Sequence, residues 1–341
     1  MMNQYDVQNT LEQLYSGNEL SEQQSQAFFE QVVSGDIDPI ILSSVLTALK
    51  IKGETPAEIT GAAKALLAQA KSFPRPDYPF TDIVGTGGDG LGTINISTAS
   101  AFVAAACGVK VCKHGSRSVS SKSGSSDLLA AFGVNLDMAP TVARQCLDDL
   151  NVCFIFAPSY HAGMRFAAPV RAALKTRSIF NVLGPLVNPA RPNFELMGVY
   201  APELLLPIAK VHQQLGMERV MVVFGSGLDE VALHGSTQVA ELHNGEITEY
   251  TLTPEDFGVE SHPVESIFGG TPEENKTIIE QILQGKGTEA QQSAVAINVS
   301  ALLVLNGKAD NFKQGTEMAL ASMQSGKPLS LLKQLAEQSN A

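Results

Sequence analysis

Over roughly the first 70 residues the apolar positions recur at intervals of three and four, as in Ile40, Ile41, Val45, Leu46 and Leu49. That is the period of a helix with one face turned to a core. Ser21-Glu22-Gln23-Gln24 and Thr55-Pro56-Ala57-Glu58 both carry the capping-box pattern, the second with Pro at the first helical position. The run from Ser72 to Pro79 holds three prolines in six residues, which makes a stiff, extended linker and the first domain boundary.

Beyond the linker the pattern changes to short apolar runs alternating with helical ones. Strands are expected at Asp82–Val84, Lys110–Cys112, Cys153–Phe156, Leu196–Tyr200 and Arg219–Phe224. Helices are expected at Ser97–Cys107, Ser125–Phe132, Pro140–Leu150 and Pro202–Leu215. Such alternation implies an α/β fold with a largely parallel sheet wrapped by helices. Residues 231–252 read as antiparallel strands turning at Asn244-Gly245, and the C-terminal part is again helical, with a capping box at Thr271-Pro272-Glu273-Glu274. The segment Ala167–Arg191 interrupts the alternation: it is basic, begins as a helix, and contains Gly184-Pro185 and Asn188-Pro189.

No apolar run reaches the ~18 residues of a membrane span. The polar, periodic N-terminus lacks the basic start and apolar stretch of a secretory signal, which reads as a cytoplasmic protein. Cys107, Cys112, Cys146 and Cys153 form no CxxC pair and sit in apolar stretches, as buried free thiols do. The net charge of −12 argues against generic nucleic-acid binding. Its distribution says more. From Gly90 to Ser126 there is no acid, but there are Lys110, Lys113, Arg117 and Lys122; from Leu150 to Phe194 there is again none, but there are Arg165, Arg171, Lys175, Arg177 and Arg191. An acidic protein that keeps two long segments free of carboxylates points to anion binding there.

Three segments and one acidic pair carry candidate chemistry. Asp82-Ile83-Val84 leads into Gly85-Thr86-Gly87-Gly88-Asp89-Gly90, a glycine-rich turn through which backbone amides can approach a phosphate. Its spacing also fits a dinucleotide fingerprint, but the acid expected about 20 residues later is absent: after Asp89 the next is Asp127. Asn95-Ile96-Ser97-Thr98 opens a small-residue helix whose N-terminus suits an anion, with ordinary N-capping as the alternative. Residues 113–126 hold three cations and seven hydroxyls between a strand and a helix, the composition of a second anion-cradling loop or of a linker. Asp229-Glu230 follows the Arg219–Phe224 strand, where two carboxylates can hold Mg²⁺ together with substrate phosphates and water.

The motifs DIVGTGGDG, NIST, KHG-R-VSSKSGSSDLLAAFG, FAPSYHAGMRFAAPVRAALKTRSIFNVLGPLVNPA and GLDEV, in that order, resemble the anthranilate phosphoribosyltransferase family. The resemblance is dense from Asp82 to Ala190 and looser beyond. It implies a small helical domain plus a larger α/β domain, a scaffold shared with pyrimidine nucleoside phosphorylases, usually dimeric through the helical domain. Residues 1–73 and 167–192 would then form the helical domain, and 74–166 and 193–341 the α/β domain. The implied reaction transfers the phosphoribosyl group of 5-phosphoribosyl 1-diphosphate (PRPP) to the amino group of anthranilate, with Mg²⁺ as cofactor, in tryptophan biosynthesis.

Carried over by resemblance, PRPP meets Gly85, Gly88, Asp89, Thr93, Asn95, Ile96, Ser97, Thr98, Lys113, His114, Gly115, Ser116, Arg117, Ser118, Val119, Ser120, Ser121 and Ser125. Anthranilate meets Gly85, Ser116 and Arg171, the metal meets Ser97, Asp229 and Glu230, and catalysis falls to Lys113, Arg171, Asp229 and Glu230. The family pattern reads Lys-His-Gly-Asn-Arg, whereas this chain has Ser116 at the Asn position. His114 and His161 are candidate bases by chemistry alone. The rival readings are a nucleoside phosphorylase on the same scaffold and a non-catalytic nucleic-acid binder, which should be basic on its ligand face.

Overall fold

The computed structural model describes residues 7–117 and 123–341. Four helices come first: α1 (Val7–Tyr15), α2 (Glu22–Ser34), α3 (Pro39–Lys52) and α4 (Pro56–Ala68). Both expected capping boxes form, closed by Gln24 on α2 and by Glu58 on α4. Glu58 is fully buried and does more than cap. It also accepts from the Leu20 N–H at 2.9 Å and the Lys52 ammonium at 2.9 Å, so one paired carboxylate ties three segments together.

The rest alternates strands and helices in chain order: β1 (Thr81–Gly85), α5 (Ile96–Ala106), β2 (Val111–Gly115), α6 (Ser125–Ala131), α7 (Pro140–Leu150), β3 (Val152–Phe156), the single turn α8 (Ala157–Tyr160), α9 (Ala168–Leu174), α10 (Phe180–Leu186) and β4 (Phe194–Gly198). There follow α11 (Leu205–Gln214), β5 (Arg219–Gly225), β6 (Thr237–His243), β7 (Glu246–Leu252), α12 (Pro272–Ile282), α13 (Glu289–Leu305), α14 (Phe312–Gln324) and α15 (Lys327–Ser339). A single seven-stranded sheet runs β3-β2-β1-β4-β5-β6-β7. Its first five strands are parallel, and the β6–β7 hairpin adds antiparallel at one edge, turning at Asn244-Gly245 with both residues at positive φ. The fold is thus a small helical domain plus a larger α/β domain with a mainly parallel sheet. Among the described residues no helix is long and apolar enough to cross a membrane.

Side-chain alternation sends successive strand residues to opposite faces of the sheet. Ile83, Leu196, Met221, Val223 and Val239 join the core beneath α5 and α13. Met197, Val199, Val220, Val222, Ala240 and Leu242 join the opposite core, which also takes Phe28, Phe29, Leu46 and Ile59 from the N-terminal helices. The segment 167–187 contributes Val170, Phe180 and Leu183 to that second core, with α9 against α3 and α10 against α4.

Three strand assignments move. β2 runs on through Lys113, His114 and Gly115, residues the sequence places in a loop, because β2 stays in register with β3 as far as Gly115↔Phe156. β4 spans Phe194–Gly198 rather than Leu196–Tyr200; it ends where the backbone of Asp229 crosses it, as described below. Residues 231–236 are irregular, and the antiparallel pair starts only at Thr237.

Candidate active site

The chain winds outward from β1 to β2 and β3, then returns to the other side of β1 for β4 and β5. The strand order therefore reverses at the β1–β4 boundary, and ligands in open α/β sheets bind outside the carboxyl ends of the strands at such a point. Gly85 and Gly198 are register partners at those two ends. The loop after β5 lies directly across them. A Cβ on Gly85 would stand 2.9 Å from Asp229 Cγ; one on Gly198 would stand 2.9 Å from Asp229 Cα and overlap the Asp229 carbonyl. Only glycine allows the acidic loop to sit this close.

The loop is fixed from both sides. The Gly87 N–H in the glycine-rich turn donates to Asp229 Oδ2 at 2.6 Å. The Ser97 N–H in the first turn of α5 donates to Glu230 Oε1 at 3.1 Å, so a carboxylate from another element takes up an unpaired helix-terminal donor. Asn95, the N-cap residue, does not cap its own helix. Behind the pair, fully buried Asn298 on α13 accepts from the Val231 N–H at 3.0 Å and donates to the Val231 carbonyl at 3.1 Å, clamping the residue next to Glu230.

Lys113 projects from β2 into this cluster. It is buried and donates to the Ile83 carbonyl at 2.6 Å and to Ser97 Oγ at 3.3 Å. Burial pulls its pKa down, while the charges of Asp82, Glu230 and Asp229 oppose that fall. Burial and then the neighbouring Asp89 raise Asp229 to about 6. Burial and then Asp229 raise Glu230 to about 8, against the pull of Lys113. Three carboxylates thus face one ammonium, an excess of negative charge that a divalent cation would relieve. The donors are all oxygens, as a hard cation requires. Two carboxylates and the Ser97 hydroxyl would leave the remaining positions to phosphate oxygens and water. Among the described residues no group of three or more His, Cys, Asp or Glu side chains is placed to hold a metal ion, so the third protein ligand would have to be the Ser97 hydroxyl.

The next residues of β2 face the other way. The His114 N–H donates to Asp82 Oδ1 at 3.1 Å, and its ring packs edge-on against His161 at 5.5 Å. Burial lowers both imidazole pKa values, His114 well below its ordinary value, so each ring stays neutral. His161 Nε2 meets the Val187 carbonyl at 2.8 Å. These partners make both rings parts of the core. Asp82, completely buried and raised to about 6 by desolvation, also accepts from Asn188 Nδ2 at 2.8 Å, and this bond ties β1 to the 187–191 segment.

Gly115 ends β2 with no room for a side chain, since a Cβ would lie 2.9 Å from Phe154 Cε2. Ser116 and Arg117 are exposed, and the Ser116 carbonyl accepts from Ser125 Oγ at 3.4 Å as α6 begins. Ser118, Val119, Ser120 and Ser121 lie outside the described residues. Ile96 and Thr98, in the first turn of α5, are both buried. Thr93 pairs with Phe268 in an antiparallel bridge. Asp89 Oδ1 accepts from the Leu91 N–H at 3.3 Å.

Family models describe two segments of this chain. The glycosyl transferase family helical bundle domain matches residues 8–70, and the glycosyl transferase family a/b domain matches residues 77–329. The chain is 80% identical to an anthranilate phosphoribosyltransferase from Psychromonas ingrahamii, over 99% of each protein. It belongs to the anthranilate phosphoribosyltransferase family. A relative from Vibrio cholerae with the same name is 62% identical over 97% of this chain and 99% of its own. The anthranilate phosphoribosyltransferase from Thermus thermophilus superimposes with a TM-score of 0.93 at 38% identity, covering 97% of this chain and 99% of that one. The Saccharomyces cerevisiae enzyme in complex with PRPP and Mg superimposes with a TM-score of 0.90 at 30% identity, covering 98% of each.

Arg171 sits on α9, away from the acidic pair in sequence. Its half-buried guanidinium lies over the Phe180 ring at 5.3 Å and has no hydrogen-bond or ion-pair partner among the described residues. Burial lowers its pKa. Sequence reasoning assigned no role to Arg177, yet the structure links it to the site. Its guanidinium donates to the Gly88 carbonyl and lies over the Tyr200 ring at 4.0 Å, while its own carbonyl accepts from Lys50 on α3 at 2.7 Å. Its place in an acid-free basic segment was the available signal. Asn298 and Gly198 gave none, since each is defined by a neighbour distant in sequence.

Proposed function

We propose that this protein transfers the 5-phosphoribosyl group of PRPP to the amino group of anthranilate, giving N-(5-phosphoribosyl)anthranilate and diphosphate in tryptophan biosynthesis. The observation that carries the reading is the Asp229-Glu230 loop laid across the β1 and β4 ends, bonded to both the glycine-rich turn and the start of α5. In this reading Asp229, Glu230 and Ser97 hold Mg²⁺, which, when bound, neutralises charge on the departing diphosphate. Lys113 places its remaining N–H toward the same phosphates. Gly85, Gly88 and Asp89 of the glycine-rich turn and Asn95 to Thr98 at the start of α5 meet PRPP, with Thr93, His114 to Ser121 and Ser125 completing the contact set. Arg171 takes the anthranilate carboxylate, as suits a guanidinium with no hydrogen-bond or ion-pair partner among the described residues, and Gly85 and Ser116 border the aromatic ring. The neutral, core-packed histidines leave the site without an evident base. The protein therefore works mainly by holding the weakly nucleophilic amine near C1 of the ribose and by stabilising the leaving group.

The helical domain is read as residues 1–73 and 167–192, and the α/β domain as 74–166 and 193–341. A homodimer through the helical domain is supported by Tyr15, Ile40 and Ile51, which are 60%, 77% and 81% exposed, and by a groove of about 540 Å³ between α1 and α3 lined by Leu14, Tyr15, Ala48 and Ile51. The proposed setting is cytoplasmic, with no nucleic-acid partner.

The deciding assay follows loss of anthranilate fluorescence with PRPP and Mg²⁺, beside a parallel arm with thymidine and inorganic phosphate. Turnover only in the first arm, abolished by excess chelator, is expected. Turnover in the second arm, or full activity in chelator, overturns the reading.

A further inference from the structure

We infer that Asn275, on α12 outside both phosphate loops, is a positioning residue that sets which end of the Asn95 amide faces the phosphate site. The inference rests on the phosphoribosyltransferase reading of that site.

Asn275 is buried, 1% exposed. The Gly270 N–H donates to its Oδ1 at 2.7 Å. A backbone N–H can only donate, so this contact identifies the oxygen of the amide and leaves Nδ2 as its other end. Nδ2 lies 2.9 Å from Asn95 Oδ1 and donates to it. The Asn95 oxygen is thereby turned toward α12, and its Nδ2 toward the second loop, where it donates to the Ser123 carbonyl at 3.0 Å. Both ends of the relay are backbone groups of fixed polarity. Flipping Asn275 would set an NH₂ against the Gly270 N–H; flipping Asn95 would set its oxygen against the Ser123 carbonyl. Only one arrangement satisfies every link. It gives Asn95 two N–H donors directed away from α12, of which Ser123 takes one, and the other is suited to a phosphate oxygen.

The surrounding backbone holds the relay in place. The Ile94 N–H donates to the Ile267 carbonyl at 3.0 Å, the Gly269 N–H donates to the Gly92 carbonyl at 2.9 Å, and Thr93 bridges Phe268. The segment entering α12 thus straps down the chain that links the glycine-rich turn to α5. Gly269 lies so close that a Cβ there would stand 2.6 Å from Asn275 Oδ1 and 2.8 Å from the Thr93 carbonyl. At its other face α12 reaches α6, where Lys276 donates to the Ala131 carbonyl at 2.8 Å. One helix therefore touches the frame of both loops, and Asn275 is its polar contact with the first.

The test is a double-mutant cycle read by steady-state kinetics. Asn275→Asp keeps the acceptor for Gly270 but offers no N–H, so Asn95 must turn its NH₂ toward α12 and its oxygen toward the phosphates. Asn275→Leu removes both bonds without adding charge. Each is expected to raise the PRPP KM by roughly tenfold or more, the loss of a charge-assisted hydrogen bond, with the anthranilate KM within about twofold. In an Asn95→Ala background the same changes should add less than about twofold, because the group they orient is gone. An unchanged PRPP KM, equal effects on both substrates, or a full additional effect in the Asn95→Ala background overturns the inference. Two different Asn275 variants keep the cycle readable if one misfolds. Asn95→Ala that leaves the PRPP KM unaltered would instead refute the phosphate-site reading, so the two failures are distinguishable.

Discussion

Gly198→Ala tests whether the acidic pair owes its position to a strand end without a side chain. Gly198 is not at positive φ, so alanine is compatible with its backbone. Replacing glycine at a compatible site by itself stabilises by about 0.4–1 kcal/mol through the unfolded chain. Any loss must therefore come from the new methyl. That methyl would stand 2.9 Å from Asp229 Cα and overlap its carbonyl, whereas carbon atoms rest at about 3.5–4.0 Å. The Asp229 backbone must retreat by more than roughly 1 Å, or the strands must part. Overpacking of this kind costs about 1–3 kcal/mol, part of which the glycine replacement offsets. The fold should survive, but a displacement of about 1 Å in a ligand group typically lowers turnover by about 100-fold. We expect kcat/KM for PRPP to fall by about that factor and the Mg²⁺ midpoint to rise, with a small drop in melting temperature. Gly184→Ala, where nothing crowds the new atom, serves as the stability control. The measurement is anthranilate fluorescence across a Mg²⁺ series, with Mn²⁺ binding by electron paramagnetic resonance as an activity-independent check. A folded Gly198→Ala protein with native metal affinity and turnover would refute the reasoning.

Arg171→Ala should raise the anthranilate KM roughly ten- to hundredfold and the PRPP KM far less, since loss of a bidentate charged contact is worth about 1.5–3 kcal/mol; equal effects on both substrates in steady-state kinetics would count against it. Metal affinity should strengthen as pH rises from 6 to 8, with proton release measurable by calorimetry in two buffers, because Asp229 and Glu230 titrate near about 6 and about 8 and Mg²⁺ competes with their protons. The same shifts mean that the metal-free protein holds protons the unfolded chain has lost, so its stability should decline over that range; a pH-independent affinity and melting temperature would contradict both.

Local signals made much of this legible. The capping residues Ser21, Thr55 and Thr271 each start a helix where their spacing places it. The five parallel strands announce themselves as short, mostly apolar runs, because a strand buried on both faces is near-continuously apolar. The strand order is not legible, since nothing in a run such as Leu196-Met197 says that it pairs with β1 rather than β3. The sequence places Lys113 in a loop of cations and hydroxyls; the strand continues through it, and Ser97 and the Ile83 carbonyl meet its buried ammonium. Glu195 and His212 were unremarkable in sequence, yet they lie 3.7 Å apart in the core, with burial pushing the carboxyl up and holding the imidazole at about 3. Polar groups of that kind are defined by their surroundings, which a single sequence does not display.

Ser116 is where the chain departs from the family pattern, and its surroundings now permit a sharper expectation. It follows the last residue of β2, is exposed, and is held by its carbonyl to Ser125 at the start of α6. The anchor is backbone, so replacing the side chain should not move the loop. An asparagine there would reach further than serine and offer both a donor and an acceptor. Where serine stops short, a water can bridge the gap at little enthalpic loss, which predicts an active enzyme with PRPP binding nearly independent of the side chain. Ser116→Asn should lower the anthranilate KM or raise kcat by an amount consistent with one hydrogen bond, about 0.5–1.5 kcal/mol or roughly two- to twelvefold. The PRPP KM provides the internal control, because the strand ends, α5 and the other residues of the 113–125 segment hold PRPP without this side chain. Kinetics of the two proteins side by side decide the matter. If the anthranilate parameters do not change, the residue at 116 does not touch the aromatic substrate in this protein, and anthranilate recognition must rest on Arg171 and Gly85.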